Sequence, residues 1–311
     1  MYSIKLSQIV EEFNLEVLRG YDKVDSTDIV VADVTRPGLQ LAGNYEHFGP
    51  DRIQIIGNME MAYLESLSER ERMARYNALL ATGIPCLVIS RNHVADKVLL
   101  SIADKYEVPI LRTKEATASF TSTLVKYLNV QLAERISMHG VFVEVYGEGI
   151  LMLGESGVGK SETALEIVKR GHRLIADDLV EVRKVSDTTL LGSAPESIRH
   201  LIEIRGIGIL DVKELYGVSS VKMEENIHFV INLENWNENK VYDRLGLIEE
   251  TTDILGIPVP SITIPVRPGR NLAIIVEVAA INFRVKQMGY NAAQALTERI
   301  FNKNPDIQPL S

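Results

Sequence analysis

The chain has 311 residues, of which 46% are hydrophobic and 24% charged, and its formal net charge at pH 7 is −9. This length predicts two domains with substantial cores, because typical domains hold roughly 100–200 residues. The negative charge argues against nucleic acid as the main partner.

The cysteine count and the hydropathy pattern indicate where in the cell the protein is found. Cys86 is the single cysteine, so one chain cannot form an internal disulfide, which fits a reducing cytoplasm. The N-terminal segment carries acidic residues where a signal peptide needs an uninterrupted apolar core. No apolar run approaches the roughly 18 residues of a membrane helix. We therefore expect a soluble, cytoplasmic protein with no membrane partner.

Residues 1–130 alternate predicted strands and helices, which favours a separate, mostly parallel α/β domain. Strands are predicted at 30–31, 53–56, 86–90 and 108–111. Helices are predicted at 7–13, 60–67, 69–82 and 95–106. This domain contains no catalytic cluster that the sequence reveals, and its role stays open.

A helical stretch over 117–138 is predicted to leave this first domain. We place the domain boundary inside it, near residue 130. The second domain is predicted to span 131–311, and its first feature of interest is His139. This histidine lies just upstream of the strand that leads to the next motif, so it is a candidate for the site, with a structural role as the alternative.

Residues 154–161 match the complete G-x-x-x-x-G-K-[ST] phosphate-binding loop. An apolar strand is predicted before the loop and a helix over 162–169 after it. Glycines let backbone N–H groups turn inward around phosphate oxygens, and the helix N-terminus adds partial positive charge. We predict ATP binding here, with Lys160 on the β- and γ-phosphates and Ser161 as a magnesium ligand. The loop consists of Gly154, Glu155, Ser156, Gly157, Val158, Gly159, Lys160 and Ser161.

A second apolar run, 174–176, ends in Asp177 and Asp178. Acids at a strand end beside a phosphate loop typically hold Mg²⁺ or its waters, or position a nucleophile. Two adjacent carboxylates suggest that one serves the metal and the other acts as base toward an incoming hydroxyl. A solvated turn or a helix cap is the alternative.

An antiparallel hairpin is predicted over 179–191, and the segment 202–211 follows it. Its central apolar residues alternate with polar or glycine positions. Glu203 is a candidate magnesium ligand, Arg205 a candidate phosphate contact, and the glycines permit close backbone approach. A plain glycine-containing strand is the alternative. The segment reads Ile202, Glu203, Ile204, Arg205, Gly206, Ile207, Gly208, Ile209, Leu210 and Asp211.

The C-terminal third carries further candidate phosphate contacts. Arg244 follows a predicted strand at 228–233 and is either a contact for a transferred phosphoryl group or an exposed helix arginine. The segment 265–271 looks like a proline-stiffened loop whose two guanidinium groups suit bidentate phosphate binding, with an exposed turn as the alternative. Helices are predicted over 272–288 and 292–301. The first six residues of the loop are Pro265, Val266, Arg267, Pro268, Gly269 and Arg270.

Together these segments resemble the HPr kinase/phosphorylase family of Gram-positive carbon catabolite regulation. The motifs that carry the resemblance are GESGVGKS at 154–161, IADD at 175–178, IEIRGIGILD at 202–211 and PVRPGRN at 265–271. The resemblance implies that ATP, or pyrophosphate, phosphorylates a seryl residue of the phosphocarrier protein HPr. It also implies dephosphorylation of phosphoseryl-HPr by inorganic phosphate, which gives pyrophosphate.

The resemblance implies residue roles as well. Lys160 and its loop would bind ATP, while Ser161, Glu203 and Asp177 would serve Mg²⁺. Asp178 would accept the seryl proton, and would return it in the reverse direction.

Further implied features concern the rest of the site and the assembly. His139 and Arg244 would complete the active site, and 202–211 would be a catalytic segment. The 265–270 loop would serve dephosphorylation. The C-terminal domain would be similar to phosphoenolpyruvate carboxykinase, and the assembly would be a homohexamer.

Two other functions stay open at this point. One is a small-molecule P-loop kinase or carboxykinase-like enzyme, and the other is a non-enzymatic regulator that senses nucleotide. The paired Asp177 and Asp178 and the arginine loop favour an enzyme.

Overall fold

The computed structural model of the chain describes residues 2–242, 249–267 and 269–303, with side chains described as far as residue 299. The chain divides into two compact units, Met1–Ala133 and Glu134–Ser311. Each unit packs apolar clusters on both faces of its main sheet. Within the described residues, no helix combines the length and the apolar character needed to cross a membrane.

The N-terminal unit is built on a five-stranded sheet in the order β2-β7-β6-β5-β4. Strands β4 to β7 are parallel, and the edge strand β2 is antiparallel to β7. This confirms the mostly parallel α/β architecture that the alternating pattern predicted. The strands are β1 (Ile4–Lys5), β2 (Glu16–Arg19), β3 (Asp28–Ile29), β4 (Val34–Thr35), β5 (Ile53–Ile56), β6 (Leu87–Ile89) and β7 (Ile110–Arg112). The helices are α1 (Leu6–Glu12), α2 (Tyr21–Val24), α3 (Gly38–Ala42), α4 (Asn58–Glu65), α5 (Glu69–Leu80), α6 (Lys97–Tyr106) and α7 (Thr117–Gln131).

Two sequence-based elements of this region were wrong. The helix predicted over 117–138 ends at Gln131, and Glu134–His139 forms a strand, β8. Strand β8 is stabilised by antiparallel pairing with a strand more than forty residues later, which local periodicity does not report. The predicted strand at 30–31 is absent, because pairing involves Asp28–Ile29 and Val34–Thr35 instead.

The C-terminal unit contains a six-stranded mixed sheet in the order β11-β9-β10-β17-β19-β18, a four-stranded antiparallel sheet in the order β16-β13-β12-β8, and a separate hairpin of β14 and β15. The remaining strands are β9 (Val141–Val145), β10 (Glu148–Gly154), β11 (Arg173–Ala176), β12 (Leu179–Ser186), β13 (Thr189–Ser193), β14 (Leu201–Ile204), β15 (Gly208–Asp211), β16 (Glu224–Asn226), β17 (Phe229–Asn235), β18 (Glu250–Ile254) and β19 (Ile257–Val266). The helices are α8 (Lys160–Lys169), α9 (Val212–Tyr216), α10 (Leu272–Gln287) and α11 (Ala292–Lys303). Pairing of β12 with β13 confirms the hairpin predicted over 179–191.

Strand direction brings the candidate segments to one edge of the six-stranded sheet. Strands β10, β17 and β19 are parallel. Strand β11 runs the same way as β10, because each is antiparallel to β9 between them. The carboxyl ends of these four strands therefore meet at this edge. Strand β11 is followed by Asp177 and β10 by the phosphate loop, while β17 is followed by Trp236 and β19 by Arg267.

Candidate active site

The phosphate loop connects the buried strand β10 to helix α8, so the predicted strand–loop–helix context is confirmed. Two glycines are needed for steric reasons as well as for their positive φ angles. A Cβ atom on Gly154 would lie 2.3 Å from the carbonyl oxygen of Leu233, and one on Gly157 would lie 2.8 Å from the Arg205 guanidinium. Both positions have left-handed backbone, at φ +148° and +87°, which glycine adopts without strain.

Lys160 begins helix α8, and only 6% of its surface is exposed. Its Nζ atom donates hydrogen bonds to the carbonyl oxygens of Gly154, at 2.7 Å, and Glu155, at 3.0 Å. Burial lowers the pKa of Lys160, while Asp177 and Asp178 oppose that shift. The ammonium group therefore lies inside the loop, where a phosphate group would meet it.

Asp177 links three parts of the site. Its Oδ1 atom accepts a 2.8 Å hydrogen bond from the Ser161 hydroxyl, and its Oδ2 atom accepts a 3.1 Å hydrogen bond from the backbone N–H of Glu203. The residue is 4% exposed. Burial raises the pKa of Asp177, although these hydrogen bonds act in the opposite direction. Glu203 thus contacts Asp177 through its backbone, while its carboxylate belongs to the exposed wall of the pocket.

Asp178 and His139 form a second polar pair. The His139 Nδ1 atom lies 3.0 Å from Asp178 Oδ1, and both side chains are more than half exposed. Antiparallel pairing of β8 with β12 sets Leu179 opposite His139. Asp178 itself has left-handed backbone, with φ +68°. The sharp turn after β11 thus directs the two neighbouring aspartates differently: Asp177 is buried, and Asp178 faces solvent.

The groups predicted from the phosphate loop, the paired acids and the 202–211 segment line one pocket of about 140 Å³. Arg205 closes one side, because its Nη2 atom donates a 3.1 Å hydrogen bond to Ser156 Oγ. The functional groups in the lining are His139, Ser156, Lys160, Ser161, Glu162, Asp177, Asp178, Glu203 and Arg205.

The 202–211 segment is a hairpin rather than one continuous strand. Ile202 and Ile204 are buried in the core against helix α8. Asp211 caps helix α9 by accepting a 3.1 Å hydrogen bond from the backbone of Glu214. The segment therefore contributes Glu203 and Arg205 to the pocket, while its buried residues anchor the hairpin.

The segment predicted as a loop over 265–270 begins as strand, because Pro265 and Val266 are the last residues of β19 and pair with β17. Its described residues lie at the same sheet edge, and none of them lines the pocket described above. The Arg267 guanidinium carbon lies 3.2 Å from the ring centroid of Trp236, a cation–π contact. Arg270 donates a 2.8 Å hydrogen bond to the Pro265 carbonyl. Two further predicted site residues, Arg244 and Pro268, lie outside the described residues.

Two residues at the end of β17 were missed by sequence reasoning. Asn235 donates a 3.2 Å hydrogen bond to the Glu155 carboxylate in the phosphate loop. Trp236 stacks on Tyr242 at 4.9 Å between ring centroids and carries Arg267 on its ring. Their position at the carboxyl end of a buried strand was the available signal, because that strand end meets the same sheet edge as the phosphate loop.

The oxygen-rich lining fits a magnesium ion in chemical type. The Ser161 hydroxyl and the Asp177 carboxylate lie together, with Asp178 and Glu203 on the same wall. Mg²⁺ prefers such hard oxygen ligands, and it usually takes one or two carboxylates together with water and substrate phosphates. Across the described ranges no three His, Cys, Asp or Glu side chains form a ready metal cage. A magnesium ion here would therefore draw the rest of its ligands from nucleotide and water.

A glycine-rich loop at a helix N-terminus, with a buried lysine inside and carboxylates beside it, defines a P-loop nucleotide-binding domain. Comparison with family models identifies the family within this broad class. Residues 4–128 match the model of the HPr serine kinase N terminus, and residues 130–300 match the model of the HPr serine kinase C-terminal domain. The chain belongs to the HPr serine kinase family.

Relatives support this assignment along almost the full length. The chain is 55% identical to the HPr kinase/phosphorylase of Caldicellulosiruptor bescii, over 96% of each chain. It is 52% identical to the HPr kinase/phosphorylase of Caldanaerobacter subterraneus, over 97% of this chain and 99% of the relative. A solved structure of the Hpr(Ser) kinase/phosphatase from Coxiella burnetii is 35% identical, with a TM-score of 0.47, and covers 52% of this chain and 98% of that chain.

Proposed function

We propose that this chain transfers a phosphoryl group from ATP to a seryl residue of the phosphocarrier protein HPr, and that it also catalyses phosphorolysis of phosphoseryl-HPr. Relatives over 50% identical along nearly their whole length are named HPr kinase/phosphorylase. The observation that carries the proposal is the shared pocket. It combines a phosphate loop, the Lys160 cation and a solvent-facing carboxylate on Asp178.

In the forward reaction, we assign Asp178 as the base. The serine hydroxyl gives its proton to the Asp178 carboxylate while its oxygen attacks the γ-phosphorus of ATP. The bond from that phosphorus to the β–γ bridging oxygen breaks, and ADP leaves with the electron pair. His139 holds the Asp178 carboxylate in position through the 3.0 Å contact. Lys160 stabilises the negative charge on the transferred group.

In the reverse reaction, an oxygen of inorganic phosphate attacks the phosphorus of phosphoserine. The bond from phosphorus to the serine oxygen breaks, and the serine oxygen takes the proton from Asp178. The products are unmodified HPr and pyrophosphate. An attacking phosphate is strongly anionic, so it needs cationic groups beside the loop. We assign this role to Arg267, and Trp236 supports its guanidinium.

Mg²⁺ is part of the proposal, with Ser161 and Asp177 as its protein ligands and Glu203 as a further carboxylate on the wall. When bound, the ion would offset the negative charge of the phosphates. The protein residues then orient the reacting groups around it. Glu203→Ala should raise the magnesium concentration needed for half-maximal activity, and Glu214→Ala, on the exposed side of α9 and outside the pocket lining, is the matched control.

Self-association is also proposed, with the homohexamer that the family resemblance implies. Helix α10 exposes Ile274, Val278 and Ile281. These residues are spaced along one side of the helix and could pack against another copy. Sedimentation velocity at several concentrations would measure the state directly.

One assay tests the catalytic proposal. Purified HPr is incubated with the full chain and γ-labelled ATP, and then with unlabelled inorganic phosphate. We expect label on a serine of HPr, followed by loss of that label as pyrophosphate. A parallel reaction supplies the small-molecule fraction of a cell extract in place of HPr. Label on a metabolite there but not on HPr would indicate a metabolite kinase, and nucleotide binding without transfer in either reaction would indicate a regulator.

A further inference from the structure

The hairpin of β14 and β15 has two chemically different faces. One face carries Ile202 and Leu210, which lie opposite each other in the ladder and pack on the core. The other face carries Glu203 and Ile209, which are also directly opposite. Ile209 is 71% exposed, and Ile207 at the hairpin tip is 70% exposed.

These two isoleucines are unusual because they are both exposed and close to the catalytic pocket. Single exposed apolar residues are common on protein surfaces and need no explanation. Here, however, two branched aliphatic side chains lie two residues apart on a hairpin whose polar residues, Glu203 and Arg205, line the catalytic pocket. The tip is open, since a Cβ atom added at Gly206 or Gly208 would meet no atom within 4 Å.

The exposed isoleucines lie close to the reacting groups. Directly paired residues in an antiparallel ladder have Cα atoms about 4.5–5.5 Å apart, so Ile209 is one ladder step from Glu203. The Glu203 backbone nitrogen lies 3.1 Å from the Asp177 carboxylate. Asp178, the proposed base, is the next residue. A protein that brings a serine to Asp178 therefore passes over or against this hairpin.

We propose that Ile207 and Ile209 form an apolar docking rim for the protein substrate, and that they bind apolar side chains flanking the target serine. This inference rests on the proposed function. It adds a recognition surface outside the pocket, made by two residues of the 202–211 segment whose side chains do not line that pocket. The expected partner surface is a serine next to exposed aliphatic or methionine side chains, because such groups complement two isoleucines.

The alternative occupant of this rim is a second copy of the chain. A second copy seated on Ile207 and Ile209 would stand beside the mouth of the pocket and obstruct a folded protein substrate. The substrate is therefore the occupant consistent with catalysis on a protein. Bound nucleotide is a third occupant, and it is tested by the same variants.

The main experiment compares the full-length wild type with Ile207→Ser/Ile209→Ser and with the conservative Ile207→Val/Ile209→Val. Val94→Ser is the matched control, because Val94 is 79% exposed and belongs to the N-terminal unit. We measure KM and kcat for HPr phosphorylation, the Kd of a fluorescent ATP analogue, and the sedimentation coefficient. Thermal unfolding verifies that each variant is folded.

We expect the serine double variant to raise the KM for HPr about tenfold, since loss of apolar burial on this scale weakens association by roughly that factor. The kcat, the Kd for the ATP analogue and the sedimentation coefficient should stay within about twofold of wild type. The valine variant should lie between the two, and Val94→Ser should match wild type. KM for phosphoseryl-HPr in phosphorolysis should rise in parallel.

Several results would overturn the proposal. An unchanged KM for HPr in the serine double variant removes the docking rim while leaving the proposed function intact. A changed sedimentation coefficient in the serine double variant would show that the rim binds a second copy. A higher Kd for the ATP analogue in that variant would show that the rim binds nucleotide. If wild type transfers no phosphoryl group to HPr, the proposed function fails and the docking rim fails with it.

A second measurement does not depend on activity. Cys86 is the only cysteine and is fully buried, and burial raises the pKa of its thiol to about 12. Ile207→Cys can therefore be labelled selectively with an environment-sensitive dye. Addition of HPr should shift the emission of this dye to shorter wavelength in a saturable way. Labelled Val94→Cys should show no shift, and an equal response from both sites would contradict docking at the hairpin.

Discussion

The two units of the chain both bring strand ends to one edge of a sheet with parallel strands, but they fill that edge differently. In the N-terminal unit, Ser90 Oγ donates a 2.9 Å hydrogen bond to the Ile56 carbonyl and lies 2.7 Å from Thr117 Oγ1. A Cβ atom on Gly57 would lie 2.2 Å from Thr117 Oγ1. The polar groups at these strand ends satisfy one another and leave little space between them.

In the C-terminal unit, the equivalent edge is open. Lys160, Asp178 and Glu203 all border a pocket. The difference shows that a sheet edge alone does not make a site. Substitutions at the closed edge should reduce stability, whereas those at the open edge should reduce turnover.

The largest effect is expected at the buried cation of the open edge. Lys160→Ala should lower both phosphorylation and phosphorolysis by on the order of 10³-fold, because both reactions pass phosphoryl charge over the same loop. Steady-state assays in the two directions measure this loss. Lys169→Ala, at the exposed end of the same helix, should retain wild-type rates. Near-normal turnover by Lys160→Ala would contradict the assignment of the loop.

A smaller loss is expected from the proposed base. Asp178→Asn should lower the rate of transfer to HPr by roughly 10²–10⁴-fold, because the amide has a similar shape but cannot accept the proton. ATP affinity should stay close to wild type, as measured with a fluorescent analogue. Asp187→Asn, in the exposed turn between β12 and β13, is the control. Normal phosphorylation by Asp178→Asn would show that another group is the base.

The third effect separates the two reactions. Arg267→Ala should lower phosphorolysis by roughly one to three powers of ten, since one charge-assisted contact is lost, and it should leave much of the kinase activity. Because Trp236 is the only tryptophan, its fluorescence reports the same contact. Emission should move to longer wavelength when the guanidinium leaves the ring.

Arg267→Lys sharpens this test, because lysine keeps the charge but loses the planar stacking of arginine. Its phosphorolysis rate should lie between that of wild type and that of Arg267→Ala. An equal loss in both directions, for either variant, would make Arg267 a general active-site or structural residue.

The smallest effect on catalysis is expected at the closed edge. Ser90→Ala should lower the free energy of unfolding by about 1–3 kcal/mol, because the buried Thr117 hydroxyl loses a partner. Activity per folded molecule should not change. Chemical denaturation followed by circular dichroism measures the first quantity, and Ser101→Ala on the exposed side of α6 is the control. A selective loss of turnover in folded Ser90→Ala would remove the contrast between the two edges.

Local features of the sequence were sufficient for several parts of the site. The phosphate loop with its strand and helix could be predicted because glycine, lysine and serine have fixed spacing in this motif. The short apolar run before Asp177 correctly indicated a strand that ends in acids. The hairpin over 179–191 was also visible, because two alternating segments flank a polar turn.

Contacts between distant segments could not be predicted in this way. The His139–Asp178 pair depends on the register of β8 with β12, and β8 itself was interpreted as part of a helix. The contact of Arg267 with Trp236 depends on the parallel pairing of β17 with β19. The hydrogen bond from the Glu203 backbone N–H to the Asp177 carboxylate was also not anticipated, because it depends on where the β14 strand lies beside the turn after β11. Each of these features follows from strand register rather than from composition.

The hydrogen bonds from Lys160 to the Gly154 and Glu155 carbonyls have a thermodynamic consequence. Because the ammonium group has three N–H donors and the two loop carbonyls occupy only two, a phosphate can accept from the third without displacing either carbonyl. The two carbonyls hold the ammonium group in place before the nucleotide arrives, so this side chain loses little conformational freedom when phosphate binds. Calorimetry on wild type should accordingly register a small entropic cost from this lysine.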